Sequence, residues 1–271
     1  MFRYWGRQDR LHYSHSIEII PIFVARDIRS GDDIAEIILN SIRKGNHNLI
    51  DKDIVVITHK IISKSEGRVV DLRDIIPSLE ARKIAKIQKK DPRMVEIILS
   101  ESSELIHLEN GVIISETKHG FVCANAGVDT SNVDEDENMV TLLPIDPNGT
   151  ANMMREEIKR REKRDVGIVI TDTFGRPFRE GQINIAIGIS GVEPIISYIG
   201  ENDMFGKSLR ITEIAVADEI ASAAELVMKK SLRVPAAIVR GWEFEFKKVT
   251  ASKLIRPKQN DFFRRSLNVK Y

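Results

Sequence analysis

Apolar and polar positions along the chain follow the periods of strands and helices in turn. "SIEIIPIFV" from Ser16 alternates like a half-buried strand, and isoleucines recur at helical spacing from Ile34 to Ile42. Gly31 and two aspartates precede this helix and Gly45 follows it, as is typical of helix ends. The chain therefore opens with a predicted strand followed by an amphipathic helix.

The next segments predict a mixture of buried strands and short helices. "DIVVITHKIIS" from Asp53 is β-branched and apolar, so we interpret it as one buried strand that leads into the turn "KSEGR". Helices are predicted from Leu79 to Lys89 and again from Pro92, because proline suits the first helical turn. The stretch from Gly111 to Val128 predicts two strands around a turn.

The second half continues in the same irregular order. A basic helix is predicted from Asn152 to Arg164, before the apolar run "VGIVI" and the polar sequence "TDTFGRPFREG". "INIAIGISGVEPI" predicts a strand, "TEIAVADEIASAAELVMKK" a helix and "PAAIVRG" a final strand. Strands and helices alternate without a regular βαβ period, which favours an α+β fold with mixed sheets.

Composition narrows the class of protein. The 271 residues carry 41 basic and 40 acidic side chains, so no overall field for nucleic acid is indicated. Cys123 is the single cysteine, which excludes an intrachain disulfide and predicts a small buried side chain. No run approaches the roughly 20 apolar residues of a membrane span, and residues 1–15 lack the apolar core of a signal peptide. We expect a cytoplasmic protein without membrane contact, in which 1–15 form an N-terminal extension.

Three polar sequences that follow apolar runs could carry chemistry. Asp172 and Thr173 are expected in the loop after a buried strand, where they could bind Mg²⁺ through oxygen atoms or simply form a turn. "AGVDTSN" holds Asp129 and Asn132, which could share that cation or form an Asx turn. Lys64, beside Gly67, could approach phosphate oxygens or belong to a solvated turn.

Two arginines are further candidates for binding an anion, and several common catalytic motifs are absent from the sequence. Arg176 and Arg179 could clamp a phosphate or carboxylate, or pair with acids such as Glu180. The chain has neither the common glycine-rich phosphate loops nor a serine or cysteine nucleophile motif. Its six histidines lack metal-ligand spacing, which argues against zinc.

Seven segments together resemble one known family. They are "THKIISKSEGR", "ANAGVDTSNV", "LLPIDPNGTA", "ITDTFGRPFREG", "IAIGISGVEPI", "VADEIASAAELVM" and "AAIVRG". Their order and spacing, from about Ser16 to Arg265, resemble the coenzyme F420-0:L-glutamate ligases. The resemblance implies one catalytic domain over 16–271, with the family's α+β fold in two intertwined subdomains.

The resemblance also implies a reaction. GTP would activate the terminal carboxylate of the deazaflavin F420-0, and the amine of L-glutamate would then displace phosphate to form an amide. A second glutamate added by γ-linkage is left open. Such chemistry asks the protein to position anions and neutralise charge rather than to supply a nucleophile.

Site residues and cofactors follow from the same resemblance. Asp129 and Asp172 are assigned to one divalent cation, Mg²⁺ or Mn²⁺, and Thr173 to a second. A monovalent cation such as K⁺ and a homodimer are also implied. For GTP the resemblance assigns a larger set of contacts: His59, Lys60, Lys64, Asn132 and the loop Met228, Lys229, Lys230, Ser231, Leu232, Arg233 and Val234.

That loop departs from the family pattern. It contains "MKKSLRV" where relatives often have glycine, so Lys229, Lys230 or Arg233 are the candidates for phosphate contact. Two other functions stay open from the sequence: a metal-dependent phosphohydrolase using the same carboxylates, and a non-catalytic nucleotide-binding regulator on the same scaffold.

Overall fold

The computed structural model describes residues 16–109, 111–133 and 135–262. The predicted extension 1–15 lies outside the described residues, as does the end of the chain from 263. Within the described part, no helix combines the length and the apolar character that crossing a bilayer requires.

Helices and strands alternate irregularly along these residues. The helices are α1 Ile34–Lys44, α2 His59–Ser65, α3 Leu79–Gln88, α4 Pro92–Glu101, α5 Pro147–Glu162 and α6 Val216–Met228. The strands are β1 Glu18–Ile22, β2 Ile54–Thr58, β3 Val69–Asp71, β4 Ser102–Glu109, β5 Val112–Thr117, β6 Val122–Ala124, β7 Met139–Thr141, β8 Gly167–Arg176, β9 Arg179–Ser190, β10 Ile196–Ser197, β11 Glu213–Ile214 and β12 Ala236–Arg240.

A five-stranded mixed sheet forms the centre of the molecule. Its order is β1-β12-β2-β8-β9, and β2 and β8 are parallel whereas the other neighbours are antiparallel. Ile54 to Ile57 of β2 are fully buried, which means that both faces of the sheet are covered. Helices α5 and α6 pack against its strands. The predicted α+β class with mixed sheets is confirmed.

A second hydrophobic core lies within the segment between β2 and β8. It gathers buried side chains from Leu72 to Leu142, around α3, α4 and the sheet β4-β5-β6. Phe121 and Cys123, from the same segment, instead pack into the core of the central sheet. The two cores are therefore interlocked along the chain, in keeping with the expected pair of intertwined subdomains.

Helix ends follow the local signals in the sequence. The Asp33 side chain caps α1 by accepting the amide hydrogen of Glu36 at 2.9 Å, and Gly45 ends that helix. The basic helix begins earlier than predicted, at Pro147, because Asp146 caps it by accepting the Gly149 amide hydrogen.

Two further predicted boundaries were wrong, and both of these errors concern the site. The strand from Asp53 ends at Thr58, and His59 to Ser65 form α2 instead of continuing it. The strand β8 does not end before Asp172 but continues to Arg176, so Asp172 and Thr173 lie within it. A short apolar run does not distinguish strand from helix by periodicity, and pairing with β9 extends β8 past its apolar part.

Candidate functional site

One large cavity of about 1380 Å³ collects most of the residues suggested by the sequence. It lies where the end of β2, the start of α2, the middle of β8 and the end of α6 meet the loop around Asp129. The predicted site residues that line it are Lys60, Lys64, Asp129, Asn132, Asp172, Thr173, Met228, Lys229, Lys230, Ser231, Arg233 and Val234.

Asp129 is held at the cavity by Lys60 and by its own loop. The Lys60 ammonium lies 2.7 Å from Asp129 Oδ2, and it also donates to the carbonyl and hydroxyl oxygens of Ser131. The Ser131 amide donates to Asp129 Oδ1 at 2.7 Å, which is the Asx turn considered from the sequence. The turn and the cavity position coexist, so the local motif does not exclude a ligand role.

Burial and hydrogen bonding have opposite effects on the pKa of Asp129. Burial acts to raise the pKa of Asp129, but the hydrogen bonds from Lys60 and Ser131 outweigh it. The net result is a pKa below the ordinary value for aspartate. Asp129 is therefore an anion near neutral pH, as a cation ligand must be.

Asp172 faces the first residue of α2. His59 is only 1% exposed, and its Nε2 lies 3.2 Å from Asp172 Oδ1 without the alignment of a hydrogen bond. The His59 Nδ1 lies 3.2 Å from the hydroxyl of Ser63 in the same helix. Because His59 and Lys60 are consecutive, the start of α2 brings the carboxyl groups of Asp172 and Asp129 to one end of the cavity.

Cys123 is buried close to this site but is not available for chemistry. Burial, with a smaller contribution from the charge of Asp172, raises the pKa of its thiol to about 12. The thiol therefore stays protonated and unreactive, which confirms the prediction of a small buried side chain.

A polar network surrounds Thr173 on the next part of the cavity wall. The Thr173 hydroxyl donates to Asn184 Oδ1 at 2.7 Å, and Asn184 Nδ2 donates to Glu225 Oε2 at 2.8 Å. The Lys230 ammonium donates to Thr173 Oγ1 at 2.8 Å and lies 2.9 Å from Glu225 Oε1. Four side chains from β8, β9, α6 and the following loop thus form one connected group.

The glycine-free loop after α6 is attached to the rest of the cavity at several points. Asn132 Nδ2 donates to the carbonyl oxygen of Lys230 at 3.1 Å, and the Arg233 guanidinium pairs with Asp27 at 3.0 Å. Lys229 and Arg233 have φ values of 51° and 54°, a backbone region in which glycine is favoured. The loop therefore keeps the sharp turns expected of glycines although it contains none.

Four predicted residues are not among those that line the cavity. His59 lies beneath its wall, and Leu232 lies in the loop with its side chain 49% exposed. Arg176 and Arg179 are paired at the tip of the β8-β9 hairpin, where Arg176 donates to the carbonyl oxygen of Glu180 at 2.6 Å. Their suggested role as anion contacts stays a prediction.

Sequence reasoning missed Asn184 and Glu225, although both line the cavity. Asn184 is 3% exposed and lies opposite Thr173 in the β8-β9 register. A polar residue inside the apolar run "INIAIGIS" was the available signal for Asn184, and the carboxylate of Glu225 near the end of an Ala-rich helix gave no signal.

The donor atoms of Asp129 and Asp172 fit a divalent cation, whereas the position at Thr173 is taken by a lysine ammonium. Asp129 and Asp172 offer carboxylate oxygens, which Mg²⁺ and Mn²⁺ prefer. Thr173 instead has the Lys230 ammonium on its hydroxyl oxygen. Within the described residues, no three His, Cys, Asp or Glu side chains are already grouped as metal ligands.

Comparison with known proteins identifies relatives of this chain. A family model described as F420-0:Gamma-glutamyl ligase matches residues 24–241. The chain is 45% identical over 240 residues to the coenzyme F420:L-glutamate ligase of Methanothermobacter thermautotrophicus, covering 88% of this chain and 94% of that relative. It is 46% identical over 215 residues to the enzyme of the same name from Methanocaldococcus jannaschii, covering 79% and 85%. The one from Archaeoglobus fulgidus is 38% identical over 252 residues, covering 93% and 98%.

Proposed function

This chain belongs to the F420-0:gamma-glutamyl ligase family, and we propose that it joins L-glutamate to the terminal carboxylate of coenzyme F420-0 with GTP as co-substrate. The single observation that carries the proposal is the arrangement of charge in the cavity. Two aspartates and the side chains of Lys60, Lys64 and Lys230 line one space of about 1380 Å³. That volume exceeds the usual 300–1,000 Å³ of small-ligand pockets, which suits a nucleotide together with an acceptor.

The reaction has two steps that need no protein nucleophile. A carboxylate oxygen of the acceptor attacks the γ-phosphorus of GTP, and GDP leaves as an acyl phosphate forms. The amine of glutamate then attacks the acyl carbon, phosphate leaves, and the nitrogen loses its proton. Both steps gather negative charge on phosphate oxygens, so the contribution of the protein is charge neutralisation and positioning.

Lysines on the cavity wall meet that requirement. Lys60 and Lys64 lie in consecutive turns of α2, and Lys230 lies on the loop after α6. Their ammonium groups bring positive charge to the space where the phosphate oxygens of GTP would lie. Closing the substrates into this space would also exclude water, which competes with glutamate for the acyl phosphate.

Asp129 and Asp172 are the residues that would hold a divalent cation. When bound, such a cation would neutralise and orient the phosphates of GTP. Its binding requires Lys60 to release Asp129, and the charges of two carboxylates against one ammonium favour that exchange. The dependence on a monovalent cation such as K⁺ stays a proposal from the family resemblance.

A homodimer is part of the same proposal. The hairpin that joins β10 to β11 carries large apolar side chains which the single chain leaves exposed. Met204, Phe205 and Ile211 are 89%, 86% and 87% exposed, and Phe178 at the β8-β9 tip is 91% exposed. Large apolar side chains exposed in this way are candidates for an interface, and a second copy is the occupant that the family resemblance suggests.

The test uses purified protein with GTP, Mg²⁺, L-glutamate and the deazaflavin acceptor. We expect GDP and phosphate release only when both glutamate and acceptor are present, and a product heavier by one glutamate residue. Asp172→Asn is expected to lower turnover by about 100-fold or more, because it removes charge from the site that positions the phosphates. Asp74→Asn, an exposed aspartate outside the cavity lining, serves as the matched control.

Other outcomes would replace this proposal. Phosphate release at the same rate without glutamate and acceptor would indicate a metal-dependent phosphohydrolase. GTP binding without any turnover, with all substrates present, would indicate a regulator. The mass of the product also shows whether a second glutamate is added.

A further inference from the structure

Lys230 uses its whole ammonium group on three oxygen atoms of the cavity wall. Its Nζ donates to Thr173 Oγ1 at 2.8 Å, lies 2.9 Å from Glu225 Oε1 and 3.4 Å from Asn184 Oδ1. A lysine ammonium has three hydrogens to donate, so these acceptors match its full capacity. These acceptors are a hydroxyl, a carboxylate and an amide oxygen, which are also typical ligands of a hard cation.

The hydroxyl of Thr173 is oriented toward this positive charge. It donates its own hydrogen to Asn184 Oδ1 at 2.7 Å, so its lone pairs are left to face Lys230. A metal bound to Thr173 would need the same oxygen. Because a divalent cation and an ammonium repel each other strongly at contact distance, only one of them can take this position.

The backbone of Lys230 is fixed independently of its side chain. Asn132 donates to the Lys230 carbonyl oxygen, and the carbonyl oxygen of Arg233 accepts the Val24 amide hydrogen at 3.0 Å. These bonds hold both ends of the loop segment against the cavity. The side chain of Lys230 therefore reaches Thr173 from a supported backbone.

Charge distinguishes this position from the one at Asp129. Asp129 pairs with the Lys60 ammonium and Asp172 lies against His59, so two carboxylates and one ammonium leave a net negative charge for a divalent cation. At Thr173 the single carboxylate of Glu225 is already balanced by Lys230. A cation entering there would have to displace Lys230 and gain only one charged ligand.

We propose that the Lys230 ammonium takes the place of the second divalent cation, so that the catalytic site works with one divalent cation. The proposal rests on the proposed function, which assigns Asp129 and Asp172 to the first cation. In this view Lys230 supplies a permanent positive charge beside the GTP phosphates, where the family resemblance implies a metal at Thr173.

The experiment counts bound Mn²⁺ in the full-length protein saturated with a non-hydrolysable GTP analogue. Equilibrium dialysis gives the number per chain, and electron paramagnetic resonance reports whether two ions lie close together. We expect one Mn²⁺ per chain and no coupling in the unaltered protein. In Lys230→Gln, which frees Thr173 and Glu225, we expect two Mn²⁺ and a coupled signal.

Two further variants separate charge from general disturbance of the loop. Lys230→Arg keeps the positive charge and should still bind one Mn²⁺. Lys229→Gln removes one charge from the same loop but leaves the Lys230 contacts in place, so its count should also stay at one. Circular dichroism and thermal unfolding of each variant establish that it is folded before its count is used.

The result that overturns the proposal is two coupled Mn²⁺ ions in the unaltered protein, or a count of one in folded Lys230→Gln. A failure of the proposed function looks different. If the count in the unaltered protein is the same as in Asp172→Asn, the assignment of the first cation is wrong, and the inference about the second falls with it.

Discussion

The ion pair between Arg240 and Asp53 links the end of β12 to the residue that precedes β2 in the central sheet. Arg240 Nε and Nη2 each donate to one Asp53 oxygen at 2.8 Å, and Nη2 also donates to the Asn48 carbonyl oxygen at 2.8 Å. Asp53 is fully buried, at 0% exposure, and Arg240 is 26% exposed. The pKa of Arg240 is raised, mainly by its hydrogen bonds to Asp53. Arg240→Met would leave the buried carboxylate without its counter-charge.

The cost of that change follows from the burial. Removing one partner of a buried ion pair typically costs about 3–5 kcal/mol. Asp53 would keep the hydrogen bond from the Ile50 amide at 2.9 Å, and water could enter where Arg240 is exposed. We therefore expect the lower end, a loss of about 3 kcal/mol in the free energy of unfolding. For a chain of this size the melting temperature should fall by roughly 10 °C.

Urea unfolding followed by circular dichroism measures the difference. Arg256→Met, an exposed arginine, is the matched control and should change stability by less than about 0.5 kcal/mol. Adding Asp53→Asn to Arg240→Met should recover part of the loss, because no unpaired buried charge remains. A loss below about 1 kcal/mol, or a double variant no more stable than Arg240→Met, would refute this account of the pair.

Three further predictions test other parts of the structure. Because the pKa of Asp129 is lowered in the folded protein, its pairing with Lys60 stabilises the fold above the unfolded pKa of about 4, and this stabilisation is lost as pH falls through the folded pKa. Urea unfolding should therefore show that Asp129→Asn is less stable than the unaltered protein at pH 6, and that this difference shrinks toward about pH 2. A difference that does not change with pH would contradict the prediction. Cys123, with a thiol pKa of about 12, should not react with a thiol reagent at pH 8 until the protein is unfolded; rapid labelling of the native protein would show that the thiol is accessible. Phe205→Asp should convert the proposed homodimer to monomer, measured by light scattering after gel filtration, whereas Glu201→Gln on the same hairpin should leave it intact; an unaffected dimer would place the interface elsewhere.

Local signals in the sequence identified most elements of the fold. The isoleucines of α1, the proline that opens α4 and the β-branched runs of β2 and β12 all lie where the pattern predicted them. These features depend on neighbours in the chain, through capping and the periodic burial of side chains. The errors arose where tertiary pairing outweighed local pattern. Thr173 belongs to a strand because Asn184 pairs with it from β9, and no local signal reports that partner.

The candidate site divides in the same way. Sequence motifs alone predict which residues take part in the proposed chemistry, because the segments that resemble the family contain Asp129, Asp172, Thr173 and Lys64. Which of these groups contact one another depends on the packing of the folded chain. Lys230 reaches Thr173, and Glu225 reaches Asn184, only because β8, β9 and α6 pack together. Contacts between side chains of distant segments depend on how the helices pack on the sheet. The contact of the Lys230 ammonium with Thr173 could therefore not be predicted from the sequence.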